Sequence, residues 1–312
     1  MRVRIAGLLL VMSAVPAAEA AVTAVDLTGY RLAATYNMSQ DDTGAFAREA
    51  SAITWDWDTN SMFIVGDEGK AIVQISRTGQ FINRMSLTGF LDTEGLTYVG
   101  NGQFVVTEER RQQAFLLNYT GGGSVNKSTL GMAQLGPQLG DGDAGNVGIE
   151  GISYDPVSHD FLFVKEKSPQ QVNRAALAFD GSTPTVASVF GSPETKLGLT
   201  DLSDIQALST VASLRGTPDG DNFLIFSQES RRLVETNRNG DVLSFFDLPG
   251  SSTAEGVTID GEGNIYIIDE GVRMYVLAPP TPAPVPLPAA VWGLASGLGF
   301  LGAAFRRRRR PA

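Results

Sequence analysis

The chain has 312 residues, 43% of them apolar, with 24 basic and 34 acidic side chains, one histidine and no cysteine. These counts exclude a disulfide framework, a thiolate metal site and a multi-histidine zinc centre. Setting aside the charges of the two ends leaves 17 basic and 33 acidic residues, a balance near −16 that repels nucleic acid and attracts cations.

Residues 1–20, MRVRIAGLLLVMSAVPAAEA, contain Arg2 and Arg4, an apolar stretch and Ala18-Glu19-Ala20, the three parts of a secretory signal peptide. The apolar run is too short to cross about 30 Å of hydrocarbon, so export through the secretion machinery with cleavage near Ala20 is expected. Next comes GYRLAATYNM, residues 29–38, which reads as a strand without a local partner.

From residue 49 a pattern repeats. EASAITWD, EGLTYV, EGISYD, DIQALS and EGVTID begin at Glu49, Glu94, Glu150, Asp204 and Glu255, at spacings of 45, 56, 54 and 51 residues. Each is followed by an apolar run ending in acids: MFIVGDE, FVVTEE with Glu109, FLFVKE with Glu166, FLIFSQE with Glu229 and IYIIDE with Glu270. A third run follows in every copy, and a fourth in the first four copies. The runs are short, rich in Val, Ile, Phe and Tyr, and separated by Asn-Gly, Asp-Gly and Thr-Gly turns. Repeats of about 40–50 residues with four strands each predict an all-β, five-bladed β-propeller over residues 21–278. The fifth copy lacks its outer strand, and the 29–38 segment is expected to supply it and close the ring. A six-bladed ring is the alternative, with irregular strands hidden in the Gly-rich stretch 121–148. A β-sandwich of degenerate hairpins leaves the recurring acids without a cause.

A Pro-rich linker, 279–288, leads to an apolar segment, 289–305, and then to Arg306, Arg307, Arg308, Arg309 and Arg310. Five arginines after an apolar stretch hold that end on the cytoplasmic side of a membrane. The tail 285–312, with Pro286 and Pro288 in VPLPAAVW, resembles the PEP-CTERM sorting signals of Gram-negative bacteria, although the glutamate of the usual Pro-Glu-Pro is missing. The resemblance implies a transient stay in the inner membrane, removal of the tail by an exosortase-type enzyme, and delivery to the cell surface or beyond it.

In an antiparallel hairpin the start of one strand lies opposite the end of the next, so leading and trailing acids share one end of every blade. The leading acids Glu49, Glu94, Glu150, Asp204 and Glu255 are expected to crowd one mouth of the ring, with Glu109, Glu166, Glu229 and Glu270 just outside them. A hard cation such as Ca²⁺ relieves such crowding, and Glu94, Glu150 and Glu255 are the first candidates to hold it. Basic neighbours (Lys165, Arg110, Arg111, Arg231 and Arg232) are the other remedy, and simple turn capping by the carboxylates is the competing explanation. Asp141, Asp143 and Asn146 lack the spacing of an EF-hand loop. His159 falls in a turn at the opposite end of its blade, which excludes a histidine-based triad at the mouth.

Over residues 28–278 the sequence resembles the SdiA-regulated family, in SAITWD…FIVGDE, DTEGLTYVGNGQFVVTEERRQ, GIEGISYDP…FLFVKEK and AEGVTIDGEGNIYIIDE. That resemblance implies a five-bladed propeller with an acidic funnel, and no particular reaction. Blades one and four depart from it at Glu49-Ala50 and Asp204-Ile205, where the glycine is missing, which puts their equivalence in doubt. Taken together, the expected function is that of an exported, surface-sorted module binding Ca²⁺ or a small cationic ligand. The alternative is a metal-dependent hydrolase of phosphoesters or lactones, like the phytase and lactonase propellers.

Overall fold

The computed structural model describes residues 21–280 apart from 41, 67–69, 137–147 and 252. Both addressing segments, the Asp141–Asn146 loop and the acids at 67 and 68 therefore lie outside the described residues.

Five antiparallel sheets form the blades. Blade 1 runs through Ala50–Asp56, Ser61–Gly66, Ala71–Ile75 and Phe81–Thr88, and blade 2 through Thr93–Gly100, Gln103–Glu108, Gln113–Asn118 and Gly131–Gln134. Blade 3 comprises Ile149–Tyr154, Phe161–Lys165, Gln171–Ala175 and Ala187–Phe190, and blade 4 Asp204–Ala207, Phe223–Ser227, Arg232–Thr236 and Val242–Asp247. Blade 5 has only Ala254–Ile259, Ile265–Asp269 and Arg273–Ala278 from its own repeat. Its outer strand is Arg31–Asn37, antiparallel to Arg273–Ala278, so the chain closes its ring with its first strand as expected. The inner strands neighbour one another from blade 1 round to blade 5 and back to blade 1.

Among the described residues the Gly-rich stretch adds no sixth blade. Ser124–Asn126 joins the outer edge of blade 1 as a parallel fifth strand, and Gly131–Gln134 is the outer strand of blade 2.

The second strand of each blade is apolar on both faces because it is buried on both faces. In blade 1, Phe63 and Val65 pack toward Leu96, Phe104 and Phe115 of blade 2, while Met62 and Ile64 pack toward Tyr266, Ile268 and Met274 of blade 5. The same division recurs round the ring, so each of the five blade interfaces has its own core cluster. Each such buried Ile, Leu or Phe stabilises the fold by about 1.5–3 kcal/mol before the entropy of ordering it is counted. Val25, Leu27 and Tyr30, just ahead of the closing strand, join the cluster between blades 4 and 5. Tyr30 donates its hydroxyl to the Gly263 carbonyl, and the Leu27 N–H donates to Ser244 Oγ, which ties the N-terminal segment to both blades. Among the described residues no helix is long and apolar enough to cross a membrane.

Candidate functional site

Strand pairing fixes which residue of each blade takes the leading position. Ile152 pairs with Phe163, two residues before Lys165, and Ile53, Leu96, Ile205 and Val257 hold the same place in their own blades. Counting back two residues puts Ser51, Glu94, Glu150, Ser203 and Glu255 in register. The leading ring therefore has three glutamates and two serines, not five acids. Blades 1 and 4, which lack the Glu-Gly pair, carry the serines.

The glycine after each of these glutamates is required by packing. A Cβ on Gly95 would lie 3.0 Å from Ile152 and 3.1 Å from the Glu150 carbonyl, and one on Gly256 would lie 2.8 Å from the Ile53 nitrogen. Inner strands of neighbouring blades meet there, so Glu-Gly pairs a carboxylate aimed at the mouth with the bare backbone that lets the ring close.

Asp204 takes the glycine position of blade 4 and does not line the mouth. It is 3% exposed, and its carboxylate accepts the Val257 N–H at 2.8 Å and the Ile205 N–H at 2.8 Å. It staples blade 4 to blade 5. Glu49 does reach the mouth, but from two residues before Ser51, the place Asp92 holds before Glu94. Both adopt left-handed backbone, with φ of 52° and 59°.

The mouth is a cavity of about 410 Å³ whose wall contains Glu49, Glu94, Glu109, Glu150, Glu166, Glu229, Glu255 and Glu270 together with Asp92, Ser51, Gln228, Arg110 and Lys167. Eight of the nine acids anticipated from sequence are thus brought together, and Asp204 is the exception. The expected trio Glu94, Glu150 and Glu255 is not the tightest arrangement. Asp92, Glu94 and Glu109 each offer a carboxylate oxygen within 4.8 Å of the others. Asp92 is visible in LDTEG as an acid two residues ahead of the Glu-Gly pair, but it lies outside the position that repeats as Glu-Gly.

Among the described trailing acids of blades 2, 3 and 5, the residue just past the second strand turns inward. Glu108 ends its strand and is fully buried away from the mouth, where Lys127 Nζ donates to both its oxygens at 2.8 Å and the Leu91 N–H donates at 2.7 Å. Asp269 is likewise buried, against Arg273 and the Tyr275 hydroxyl. In blade 4 the inward position is Gln228, whose Nε2 donates to Glu255 Oε1 at 3.1 Å. Glu229, one residue further, reaches the rim and pairs with Lys167 at 3.2 Å.

Resident cations neutralise part of this charge. Lys167 Nζ lies 2.6 Å from Glu166, and Arg110 Nε lies 2.5 Å from Asp92. Lys165 is not a mouth residue: its ammonium caps the carbonyls of Lys167 and Pro169 and so holds the loop that presents Lys167. Arg232 pairs with Asp247 in its own blade's outer strand.

What remains is carboxylate facing carboxylate. Burial, then the charges of Glu109, Glu94 and Glu166, raises Glu150 well above the ordinary glutamate range. Burial, then Glu94 and Glu270, pushes Glu255 up to about 9, and Glu255 donates its proton to Glu270. Glu109, Glu166 and Glu270 are also raised, each chiefly by burial. Glu150 beside Glu109, between blades 3 and 2, and Glu255 beside Glu270, within blade 5, are thus the two carboxyl pairs in which crowding favours a shared proton. His159 is exposed in its turn and bonds the Tyr154 hydroxyl at 2.7 Å, at the other end of blade 3 as expected.

A family model described as SdiA-regulated matches residues 28–278. Among solved structures, the chain is 12% identical to the glutaminyl cyclase of Myxococcus xanthus, with a TM-score of 0.52 over 80% of this chain and 95% of that one. A luciferin-regenerating enzyme aligns at 11% identity and a TM-score of 0.47, over 78% of this chain and 94% of that one. Virginiamycin B lyase from Staphylococcus aureus aligns at 12% identity and a TM-score of 0.41, over 73% of this chain and 66% of that one, just under two thirds of the lyase's length. At such identities the likeness concerns the fold alone.

Proposed function

This chain belongs to the SdiA-regulated family, and from that premise we propose that it is an exported, surface-sorted propeller whose acidic mouth binds a divalent cation, with Ca²⁺ the first candidate. The observation that carries the reading is the approach of Asp92, Glu94 and Glu109 oxygens to within 4.8 Å of one another. Oxygens at that separation can share one ion with metal–oxygen distances of about 2.4 Å. Glu150, next to Glu109, and Ser51 on the same wall are further oxygen donors, and a calcium ion takes six to eight. The chemistry an ion would supply there is positive charge, which offsets the crowding of the carboxylates. Export and sorting are supported by the signal-like first 20 residues and by Pro286, Pro288 and Arg306–Arg310 at the other end.

A hydrolase is the second reading, and one observation favours it. Glu255, held protonated up to about 9, is a proton donor beside an acid-lined cavity, as acid catalysis at neutral pH requires. In that reading Asp92, Glu94 and Glu109 would hold a cation that supplies Lewis-acid chemistry toward a phosphoester or lactone, and Glu255 would hold the proton for the leaving oxygen.

Thermal melts with Ca²⁺ and with chelator, on wild type and Glu94→Gln, test the binding reading. Wild type is expected to gain about 2–3 kcal/mol at a concentration 100 times the dissociation constant, and the variant to lose most of that gain. An equal response in both proteins would remove the mouth as the site. Turnover of phosphodiesters or lactones that disappears in Glu255→Gln would select the hydrolase. The mass of the surface form, compared with that of the full chain, tests removal of both ends.

A further inference from the structure

The rim opposite the acidic mouth holds a second cavity, of about 520 Å³, between blades 3 and 4. Its wall brings together Arg174, Arg238, Asp221, Val157 and Val189, with Asp155 behind them. Asp155 directly follows the inner strand of blade 3, Arg174 lies on the third strand of that blade, and Arg238 comes from the turn before the outer strand of blade 4. Asp221 precedes the second strand of blade 4.

Both arginines are pinned from behind. Arg238 Nη2 donates to Asp155 at 2.7 Å, and Arg174 Nη1 donates to Asp160 at 2.9 Å. Asp155 is itself 1% exposed and fixed by Ser209, Ser158 and the Val157 N–H, so the Arg238 anchor is rigid. Each guanidinium has five N–H donors and uses one in these pairs, which leaves two oriented forks with donors to spare. Asp221 is exposed, and its carboxylate accepts no hydrogen bond among the described residues.

The charge balance narrows the ligand. Arg238 with Asp155 and Arg174 with Asp160 are neutral pairs, and Asp221 leaves one net negative charge. A dianion such as phosphate meets donors but also that carboxylate. A zwitterion satisfies both: its carboxylate goes to the spare guanidinium donors and its ammonium to Asp221. Val157 is 57% exposed and, with Val189, gives an apolar wall for a side chain. The volume lies in the usual range for small-ligand sites.

We infer that this cavity binds a free amino acid or short peptide with an apolar side chain, through Arg174 and Arg238 at its carboxylate and Asp221 at its ammonium. The inference is independent of the cation site on the other rim.

Calorimetric titration of the purified protein with L-leucine, N-acetyl-L-leucine, L-leucine amide and inorganic phosphate tests it, with Asp221→Asn and Arg174→Gln as variants. Leucine is expected to saturate below about 10 mM, and blocking either end to weaken it about ten-fold. Asp221→Asn should weaken leucine about ten-fold and leave N-acetyl-leucine unchanged, whereas Arg174→Gln should weaken both. Asp221 has no partner to lose, so its variant folds as wild type, which a melt verifies. No saturable binding of leucine by about 10 mM would overturn the proposal. Phosphate binding more tightly than leucine would do so too, as would an Asp221→Asn variant equal to wild type.

Discussion

Replacing Glu255 with glutamine keeps the shape of the mouth and removes one titrating group. The glutamine amide can donate permanently to Glu270 in place of the shared proton, and its oxygen still accepts from Gln228. Burial and the charges of Glu94 and Glu270 raise the Glu255 carboxyl from 4.5 to about 9 in the folded chain. The folded state therefore holds a proton that the unfolded state has already released. The stability that Glu255 contributes is fully present below the ordinary glutamate range and is lost progressively as pH climbs from there to about 9. At 1.36 kcal/mol per unit the shift sets a ceiling of about 6 kcal/mol, and water at the mouth screens this to about 2–3 kcal/mol. In chelator, Glu255→Gln and wild type should melt together near pH 5, and the variant should gain about 4–8 °C over wild type by pH 9.5. Parallel melting curves across the whole range would refute the account of crowded carboxylates.

Three further outcomes test the frame that holds the mouth. Asp204→Ala orphans the buried Val257 N–H and should cost about 1–3 kcal/mol in a urea melt at pH 7, with cation affinity unchanged because Asp204 does not line the cavity. Gly151→Ala places a Cβ 2.5 Å from the Asp204 Cα and forces two inner strands apart, so it should cost about 3 kcal/mol or more by the same measurement. Deleting residues 21–37 removes the closing strand and the buried Val25, Leu27 and Tyr30. That loss of about 5–9 kcal/mol approaches the whole stability of a domain, so circular dichroism should show an unfolded chain.

The number of blades was legible because the physics that builds a blade is local and periodic. Second strands such as FIVG and IYIID are apolar throughout because both faces meet neighbours, and a missing fourth run in the last repeat requires a strand from elsewhere. The irregular part was not legible: nothing in GGGSVNKSTL distinguishes a parallel edge strand on blade 1 from a loop. At the mouth, the Glu-Gly pair marked Glu94, Glu150 and Glu255 correctly, since acid and glycine answer two separate demands of one position. Where the glycine was absent the register slipped, by two residues at Glu49 and by one at Asp204. The trailing acids Glu109, Glu166, Glu229 and Glu270 were legible from their place just past the second strand. Successive residues face opposite ways, so Glu108 and Asp269 entered blade interfaces while Glu109 and Glu270 entered the mouth, and at Ser227-Gln228-Glu229 the inward position is an amide.

The most direct test of the cation site is anomalous diffraction from crystals grown with Tb³⁺ as a stand-in for Ca²⁺. A peak within about 2.6 Å of carboxylate oxygens of Asp92, Glu94 and Glu109 is the expected result. An empty mouth in crystals whose anomalous peaks all lie elsewhere would contradict it.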